Sequence, residues 1–316
     1  MYYIGIDIGG TAVKIGQITE SGEVLRRKQY SVSFDQYRTP VLHTVLNATD
    51  TFLAEEAIDS NNLSGIGISA TGQIDSANGI VVGTCGNIPG WAGTPLKQAF
   101  HERYKLPVTV INDANCAALA EQWVGRAKNV FDAILLTIGT GVGGGIIVNG
   151  NILLGARGLA GEIGHLSINC QGPTCTCKNR GCLEQYASMT ALVKEVTRYY
   201  QIQDPLYLSS HEINGKEIFR LLQEGETAIQ NLVDQWIYHI ACGITGLVHI
   251  FNPSTVLIGG GVSTQEELFI KPLREKTLSM VMENFRKDLL IDSALAGNNA
   301  GIIGAVWYLV RTLCHT

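Results

Sequence analysis

Short apolar runs separated by glycine turns dominate the chain and open its two halves in the same way. Tyr2–Ile6 predicts a buried strand, residues 7–11 a tight turn, and Ala12–Ile18 a returning strand. In the second half, Ala133–Ile138 predicts a strand that leads into a glycine turn at 139–144 and another returning strand. Two such units in one chain predict an internal duplication, with a hairpin at the start of each half.

Helical spacing of apolar residues marks the segments between the strands. Val41, Val45 and Phe52 follow Pro40 at such spacing, which predicts a helix with Thr39 as its N-cap. Further strands are predicted at 24–32, 65–69, 108–111 and 255–258, and further helices at 114–124, 187–200, 227–250 and 300–313. This mixture of strands and helices predicts the α/β fold class.

The chain has 316 residues, which is long enough for two domains. We expect an N-terminal α/β domain at 1–114, joined by the C-terminal helix 299–316, and a C-terminal α/β domain at 115–298. A cleft between the two domains is the expected place for an active site.

The composition limits the partners and the compartment. Hydrophobic residues make up 46% of the chain and charged residues 16%, so a sizeable core can form. The net charge is −5 without a basic stripe, so we expect no nucleic-acid partner. We expect no membrane partner either, because the N-terminus lacks a secretory signal and the longest apolar run, Gly301–Val310, is too short for a bilayer. A reducing cytoplasm suits the eight cysteines of so long a chain.

The first glycine turn has the composition of a phosphate site. Gly9, Gly10 and Thr11 expose backbone N–H groups and one hydroxyl, and concave groups of this kind bind anions. Asp7 would repel phosphate unless a cation lay between them, so we interpret it as a residue that holds Mg²⁺, directly or through water. An ordinary hairpin turn is the alternative.

Two later glycine turns could complete a nucleotide site. The second turn could grip the same polyphosphate, and its candidate residues are Gly139, Thr140, Gly141, Gly143 and Gly144. It is neither a P-loop nor a dinucleotide fingerprint, because no Gly-Lys-Ser/Thr follows and the next element is a strand. The third turn leaves room for a flat ring such as adenine, and it consists of Gly259, Gly260 and Gly261.

Asn112 and Asp113 stand together at the end of an apolar strand and at the start of a predicted helix. An N-cap is the structural interpretation, because aspartate readily accepts hydrogen bonds from the first N–H groups of a helix. The functional interpretation is a general base for a hydroxyl that attacks a γ-phosphoryl group, at the strand end where α/β proteins collect ligands. The sequence position is compatible with both.

A cysteine cluster at metal-ligand spacing lies in the second half. Cys175, Cys177 and Cys182 form a C-x-C-x₄-C pattern after His165. Three thiolates and one imidazole make a closed tetrahedral zinc set without a position for a catalytic water. Buried, unligated cysteine is the alternative, but the polar and glycine neighbours argue against a core role. We therefore predict a structural Zn²⁺ site, whose loop could orient the flanking carboxylates towards a polyol.

Six ordered motifs carry a resemblance that covers nearly the whole chain. They are DIGGT at 7–11, INDAN at 111–115, GTGVGGG at 139–145, GEIGH at 161–165, the cysteine segment at 175–184 and IGGGV at 258–262. Through them the chain resembles the ROK family (repressor, open reading frame, kinase) of bacterial sugar kinases and sugar-responsive repressors. The resemblance implies the two-domain actin/hexokinase-like (ribonuclease H-like) fold, ATP, Mg²⁺ and structural Zn²⁺ as cofactors, and a homodimer.

The resemblance also implies a role for each candidate residue. The turns at 7–11 and 139–144 would hold the phosphates of ATP, and 259–261 would lie by the adenosine. Asp113 would take the proton from the sugar hydroxyl, and His165 would present one ring nitrogen to zinc and the other to the sugar. The implied substrate-binding residues are Gly72, Asn87, Asn112, Asp113, Glu162, His165 and Glu184.

Two residues depart from the family pattern. Ala12 stands where many members carry Lys, Thr or Asn, which affects the detail of phosphate contact. Lys178 replaces the usual glycine after the second cysteine, so the zinc loop is expected to differ in conformation. Neither departure removes a metal ligand or the candidate base.

The resulting hypothesis is an ATP-dependent kinase of the glucokinase type that phosphorylates the 6-hydroxyl of glucose. Glucose is the first choice because Asn87–Trp91 looks like the sugar-side loop of glucokinase-like members. N-acetylmannosamine, N-acetylglucosamine, fructose or a β-glucoside would use nearly the same hydroxyl contacts, and a non-catalytic sugar-binding protein is a further alternative. A transcription regulator needs a helix-turn-helix ahead of Asp7, where only six residues stand, so we do not expect one.

Overall fold

The computed structural model describes residues 1–33, 35–83 and 88–314. The chain forms two compact units. The first consists of Met1–Asn129, Asn151–Gly161 and Leu295–Thr316, and the second of Val130–Gly150 and Glu162–Ala294. The chain therefore leaves the first unit and returns to it twice. The domain boundaries predicted near residues 114 and 298 stay a prediction.

The described residues form both strands and helices. The strands are β1 (Tyr2–Ile8), β2 (Ala12–Thr19), β3 (Val24–Ser31), β4 (Leu63–Ala70), β5 (Gln73–Asp75), β6 (Ile80–Gly83), β7 (Val108–Asn112), β8 (Ala133–Ile138), β9 (Val142–Val148), β10 (Asn151–Ile152), β11 (Thr255–Gly259) and β12 (Leu290–Ser293). The helices are α1 (Val41–Glu55), α2 (Leu96–Tyr104), α3 (Asp113–Val124), α4 (Glu184–Ala187), α5 (Met189–Gln203), α6 (Pro205–Ser210), α7 (Gly215–Gln223), α8 (Thr227–Phe251), α9 (Lys271–Met280), α10 (Glu283–Arg286) and α11 (Ala300–Cys314). This mixture confirms the predicted α/β class. Among the residues that the structure describes, no helix combines the length and the apolar character that crossing a membrane requires.

The sheet of the first unit runs in the order β3-β2-β1-β4-β7. β1, β2 and β3 are antiparallel neighbours, whereas β4 pairs in parallel with β1, and β7 pairs in parallel with β4. The register places Asp7 beside Ser69, and Ala70 beside Asn112. The carboxyl ends of β1, β4 and β7 therefore meet at one edge of the sheet, where α/β proteins place their ligands.

Both faces of this sheet are buried. Successive strand residues point to opposite sides, so β1 contributes side chains to both faces. On one face, Ile6 of β1 joins Val45 and Phe52 of α1 in a hydrophobic cluster, and these three side chains are fully buried. On the other face, Tyr3 of β1 joins Ile302 of α11 in a second buried cluster. The sheet is thus fixed between α1 and α11.

Glycines let α11 approach the sheet and α3 at backbone distance. A Cβ atom on Gly67 of β4 would lie 2.7 Å from the backbone nitrogen of Val306. A Cβ atom on Gly304 of α11 would lie 2.8 Å from the Cα of Cys116 in α3, and closer still to its carbonyl oxygen. Side chains therefore do not fit at these positions, and the absence of Cβ atoms is what allows the contact.

Gly304→Ala should destabilise the protein, because an extra methyl group must enter space that α3 already fills. We expect the free energy of unfolding to fall by about 1–3 kcal/mol, measured by denaturant unfolding. Gly246→Ala in α8 is the matched control, because its Cβ would meet nothing within 4 Å. There we expect a gain of about 0.5–1 kcal/mol from helix propensity. Equal effects of the two changes would contradict the close contact at Gly304.

The sheet of the second unit contains the order β9-β8-β11-β12. β8 and β9 form an antiparallel hairpin, and β11 pairs in parallel with both β8 and β12. The first unit shows the same arrangement in β2-β1-β4. The two glycine turns from which the duplication was predicted thus occupy equivalent hairpins.

Some predicted helices need correction. Thr39 does not cap α1; its N–H and hydroxyl donate to the Asp35 carboxylate at 2.9 and 2.7 Å, and Pro40 precedes the helix without a capping side chain. α6 and α7 lie in a stretch for which no helix is predicted. The missed signal for α7 was Asn214, whose side chain accepts the N–H of Glu217 three residues later.

Candidate active site

Asp7 is held in a fixed orientation at the carboxyl end of β1. Its Oδ1 accepts a hydrogen bond from the Ser69 hydroxyl at 2.7 Å, and its Oδ2 lies 3.6 Å from the Lys14 ammonium. A Cβ on Gly301 of α11 would collide with the carboxyl group, so the helix backbone lies directly against it. An oriented carboxylate beside a glycine turn is a suitable oxygen ligand for Mg²⁺.

The turn after β1 is closed by the backbone. The Gly9 N–H donates to the carbonyl oxygen of Ala12 at 2.9 Å, and the Tyr37 hydroxyl donates to the carbonyl oxygen of Gly10. Thr11 is exposed. Ala12 accepts this hydrogen bond through its backbone carbonyl group. The bond is therefore kept although the side chain at position 12 departs from the family pattern.

Asn112, and not Asp113, caps α3. The Asn112 Oδ1 accepts the N–H groups of Ala114 and Asn115 at 2.9 and 3.3 Å, and its Nδ2 donates to the carbonyl oxygen of Gly72 at 2.9 Å. Asp113 is the first residue of the helix, and its Oδ1 accepts the Ala114 N–H at 2.8 Å. The N-cap interpretation of Asp113 is therefore wrong, and its carboxylate lies half-buried at the positive end of the helix.

Gly72, one of the predicted substrate-binding residues, lies next to this cap. Its φ is +98°, a left-handed conformation that glycine adopts without strain, and its carbonyl oxygen receives the bond from Asn112. The indole of Trp91, which is buried, donates to the carbonyl oxygen of Thr71 at 2.9 Å and so holds the adjacent residue. The predicted sugar ligand Asn87 lies outside the described residues.

A cavity of about 900 Å³ lies within the second unit. Gly139 and Thr140 of one predicted turn line it together with Gly261 of another, so the structure brings these two turns together. Most of its wall comes from α5, α7 and the segments beside them, and the apolar lining residues are Ile138, Met189, Val193, Ile213, Phe219 and Val262. A mostly apolar cavity of this size fits a nucleotide.

The glycine turns of the second unit differ in detail from the prediction. β9 begins at Val142, so Gly143 and Gly144 are strand residues and not part of the turn. Gly259 likewise ends β11, whereas Gly260 has a φ of +97° and leaves no room for a Cβ beside the carbonyl group of Ile138. Sequence could not separate turn glycines from strand glycines, because glycine is compatible with both.

The candidate sugar residues of the second unit lie around the end of the zinc loop. His165 ends a short 3₁₀ turn that follows Glu162, and Glu184 begins α4. Although Glu162 is exposed as a residue, surrounding protein atoms desolvate its carboxyl group and raise its pKa. The charge of His165 opposes this shift, and the negative charge of Glu184 adds to it. Carboxyl groups at these two positions can accept hydrogen bonds from neighbouring hydroxyls, and a protonated one can also donate.

His165, Cys175, Cys177 and Cys182 bring their ligand atoms within 4.8 Å of one another. The Sγ atoms of Cys177 and Cys182 are 3.6 Å apart, and the Cys175 Sγ is 3.6 Å from the His165 Nδ1. A tetrahedral zinc with Zn–S bonds of about 2.3 Å would place its sulfur ligands about 3.8 Å apart. The four residues therefore fit Zn²⁺, and Nδ1 is the imidazole nitrogen that faces the metal position.

The thiols of this cluster differ in acidity while no metal is bound. Burial raises the pKa of Cys175, but hydrogen bonds from Cys177, Thr176 and His165 outweigh this effect and lower the pKa to about 7. Burial and the neighbouring thiols raise the pKa of Cys182 to about 12. Zn²⁺ binds thiolates, so metal binding must release protons, and acid will oppose it.

Lys178 has a glycine-like backbone. Its φ is +72°, in the left-handed region, and its N–H donates to the carbonyl oxygen of Cys175 at 2.9 Å. A residue with a Cβ is strained in this conformation, whereas glycine is not. The departure from the family pattern at this position thus adds strain to the loop.

Lys178→Gly should stabilise the zinc-loaded protein by about 1 kcal/mol, the cost of a left-handed residue with a side chain. Thermal unfolding of the loaded protein measures the gain. Lys178→Ala is the control, because it removes the long side chain and keeps the Cβ, so we expect no gain. A gain of the same size in both variants would mean that the side chain, and not the backbone, is responsible.

Several residues of the site were not predicted from the sequence. Ser69 and Gly301 orient Asp7, but their closeness depends on parallel pairing and on the return of α11, which no local pattern reveals. Phe219 and Ile213 line the cavity, and the Asn-x-x-Glu pattern at 214–217 could have predicted the helix that carries Phe219.

The chain is similar to known proteins over nearly its full length. A family model described as ROK family matches residues 3–312. A glucokinase from Halalkalibacterium halodurans is 34% identical over 312 residues, which are 97% of this chain and 94% of that protein. A β-glucoside kinase from Listeria monocytogenes is 32% identical over 98% of each chain. A crystal structure of a ROK family glucokinase from Streptomyces griseus, in complex with glucose and AMPPNP, matches with a TM-score of 0.79 and 30% identity over 96% of this chain and 98% of that one.

Proposed function

This chain belongs to the ROK family, and we propose that it transfers the γ-phosphoryl group of ATP to the 6-hydroxyl of glucose. The class of ATP-dependent sugar kinase and the actin/hexokinase-like fold rest on full-length similarity to glucokinases, one of them bound to glucose and AMPPNP. The resemblance predicted from the six motifs is thereby confirmed. Glucose, its 6-position and the roles of individual residues are the further parts of the proposal.

The placement of Asp113 carries the proposal. Its carboxylate stands at the carboxyl end of β7, on a helix whose first turn Asn112 caps. In the proposed step Asp113 accepts the proton of the sugar hydroxyl while the oxygen attacks the γ-phosphorus, and the bond to the ADP oxygen breaks. The γ-phosphoryl group moves to the sugar, and the proton stays on Asp113 until it passes to solvent.

The phosphates of ATP are assigned to the backbone N–H groups of the turns at 7–11 and 139–141, with the nucleoside in the cavity beside Gly261. Asp7 fits Mg²⁺, because its carboxylate is oriented by Ser69 and Lys14 next to the first turn. A bound Mg²⁺ would neutralise charge on the β- and γ-phosphates.

The sugar hydroxyls are assigned to Asn112, Glu162, His165 and Glu184, and also to Asn87 outside the described residues. Gly72 is assigned to the wall of the sugar site. The Asn112 Oδ1 is occupied by helix N–H groups, so only its Nδ2 is available for the sugar, through the hydrogen that does not bind Gly72. For His165, Nδ1 is assigned to Zn²⁺, which leaves Nε2 for the substrate.

The alternative proposals differ in the sugar that the kinase phosphorylates. The similarity to a β-glucoside kinase favours a β-glucoside as the second candidate, and N-acetylmannosamine, N-acetylglucosamine and fructose follow from the sequence. A pocket that tolerates a larger substituent differs from one that does not by only a few side chains. We further propose that the protein is cytoplasmic and has no nucleic-acid partner, as the composition predicts, and that it is a homodimer, as the family resemblance implies.

ADP release with MgATP tests the function against glucose, fructose, mannose, N-acetylglucosamine, N-acetylmannosamine and cellobiose. We expect turnover to be fastest with glucose, with the product phosphorylated at the 6-position by nuclear magnetic resonance. Faster turnover of another sugar would show that this sugar, and not glucose, is the substrate, and the kinase assignment would stand. A folded, zinc-loaded protein that turns over none of them would count against the kinase assignment for this panel.

A further inference from the structure

The carboxylate of Glu184 supports the glycine turn between β8 and β9. Its Oε2 accepts the N–H of Val142 at 3.2 Å. The same oxygen fills the space beside Gly141, where a Cβ would collide with it and would lie 3.4 Å from Cδ. One side chain thus fixes both a backbone N–H and the path of the chain at the end of the turn.

The segment that follows Glu184 holds the other end of the turn. The Met189 N–H donates to the carbonyl oxygen of Gly139 at 2.9 Å, and the Thr190 hydroxyl donates to that of Thr140 at 2.8 Å. Three residues of the turn at 139–142 are therefore hydrogen-bonded to the stretch 184–190, and the remaining one, Gly141, lies against Glu184. The carboxylate of Glu184 makes one of these three hydrogen bonds and also fills the space beside Gly141.

This supporting segment is itself rigid. The indole of Trp236, which is 2% exposed, donates to the carbonyl oxygens of Ala187 and Ser188 at 3.0 and 3.2 Å. The Ser188 hydroxyl caps α5 by accepting the Ala191 N–H at 3.1 Å. Glu184 therefore extends from a fixed base, so its carboxylate can restrict the turn rather than move with it.

We propose that Glu184 is a positioning residue for the turn that binds the nucleotide phosphates, in addition to its assigned contact with the sugar. This inference rests on the proposed function. A backbone turn binds phosphate well only when its N–H groups already point the same way, because ordering them on binding costs affinity. The Glu184 carboxylate supplies this order before any ligand arrives, through a charge-assisted hydrogen bond.

Glu184→Gln tests the proposal in the absence of sugar, where a role in sugar binding alone has no effect. Isothermal titration with ADP and Mg²⁺ measures nucleotide affinity, and hydrogen exchange of the peptide at 139–146 measures the order of the turn. The glutamine Oε1 can still accept the Val142 N–H, but the hydrogen bond loses the charge that makes it about twice as strong. We therefore expect the Kd for ADP to rise about fivefold. We also expect the Val142 amide to exchange faster without ligand.

Glu162→Gln is the matched control, because within the described residues the Glu162 carboxylate makes no hydrogen bond to this turn. It is also a carboxylate assigned to the sugar, so it removes the same charge from the same region. We expect its Kd for ADP to stay within about twofold of the wild-type value and exchange at 139–146 to be unchanged. An equal loss in both variants would mean a general charge effect and would overturn the proposal.

The remaining outcomes separate this inference from the proposed function. If the wild type phosphorylates a hexose but Glu184→Gln keeps wild-type ADP affinity and exchange, the positioning role is wrong and the kinase stands. If the wild type binds no ADP, the proposed function fails and the inference with it. If Glu184→Gln loses zinc or does not fold, Glu184→Asp gives the same two measurements, because it keeps the charge but is too short to reach Val142.

Discussion

Asp113→Asn is expected to lower kcat for hexose phosphorylation by about 10²–10⁴-fold, the contribution of a general base. The asparagine Oδ1 can still accept the Ala114 N–H that Asp113 accepts at 2.8 Å, so the start of α3 should keep its structure. An amide cannot take a proton from a hydroxyl at neutral pH, so the chemical step should slow while binding survives. ADP release measures kcat, and titration with ADP and with the sugar measures binding.

Asp59→Asn is the control for this prediction. Asp59 is exposed and also accepts a backbone N–H, that of Asn61 at 2.9 Å, in a turn of the same unit. Asparagine caps such turns as well as aspartate, so we expect kcat to be unchanged. An Asp113→Asn variant that keeps more than about a tenth of wild-type kcat would remove Asp113 from the role of base.

Cys177→Ala should release the metal and destabilise the loop. Three ligands cannot close a tetrahedral structural site, so the zinc content should fall from one per chain to near zero after dialysis. The free energy of unfolding should fall by about 4 kcal/mol or more, as for other losses of a structural metal. Activity should fall as well, because His165 and Glu184 are placed by the same loop. Atomic absorption, thermal unfolding and ADP release measure the three effects.

Cys170→Ala is the matched control, because Cys170 is an exposed cysteine of the same region that does not join the four-ligand cluster. We expect full zinc content and a free energy of unfolding within about 0.5 kcal/mol of the wild-type value. If the Cys177→Ala protein retains one zinc per chain, the metal binds elsewhere. If the wild-type protein contains no zinc, the cluster is not a zinc site.

Local sequence patterns account for the parts of the structure that were predicted. The two hairpins follow from apolar runs interrupted by glycine, and the zinc cluster follows from the spacing of Cys175, Cys177 and Cys182. Asn112 and Asp113 were correctly placed between a strand and a helix, but the capping role belongs to Asn112. Two adjacent polar residues at a helix start compete for that role, and the sequence does not show which backbone N–H groups each one reaches.

Contacts between distant segments account for most of what was missed. Glu121 is 1% exposed, and its Oε1 accepts the N–H groups of Leu295 and Ala296 at 2.7 and 2.6 Å, while its Oε2 accepts that of Arg126 at 2.8 Å. A glutamate in a helix ordinarily predicts a solvated position. Its partners at 295 and 296 are adjacent only because the chain returns to the first unit, so the sequence pattern gave no reason to single it out.

The packing of α11 has a consequence for how the protein is made. On the ribosome, β1, β4 and α3 are synthesised long before α11, yet α11 covers Tyr3 and fits the glycine of β4 at backbone distance. Until it emerges, one apolar face of the nascent first sheet has no cover, while the whole second unit is being translated. The last described helix to be synthesised thus completes the sheet that was begun first, and during that interval the uncovered face is a surface for chaperones or for aggregation.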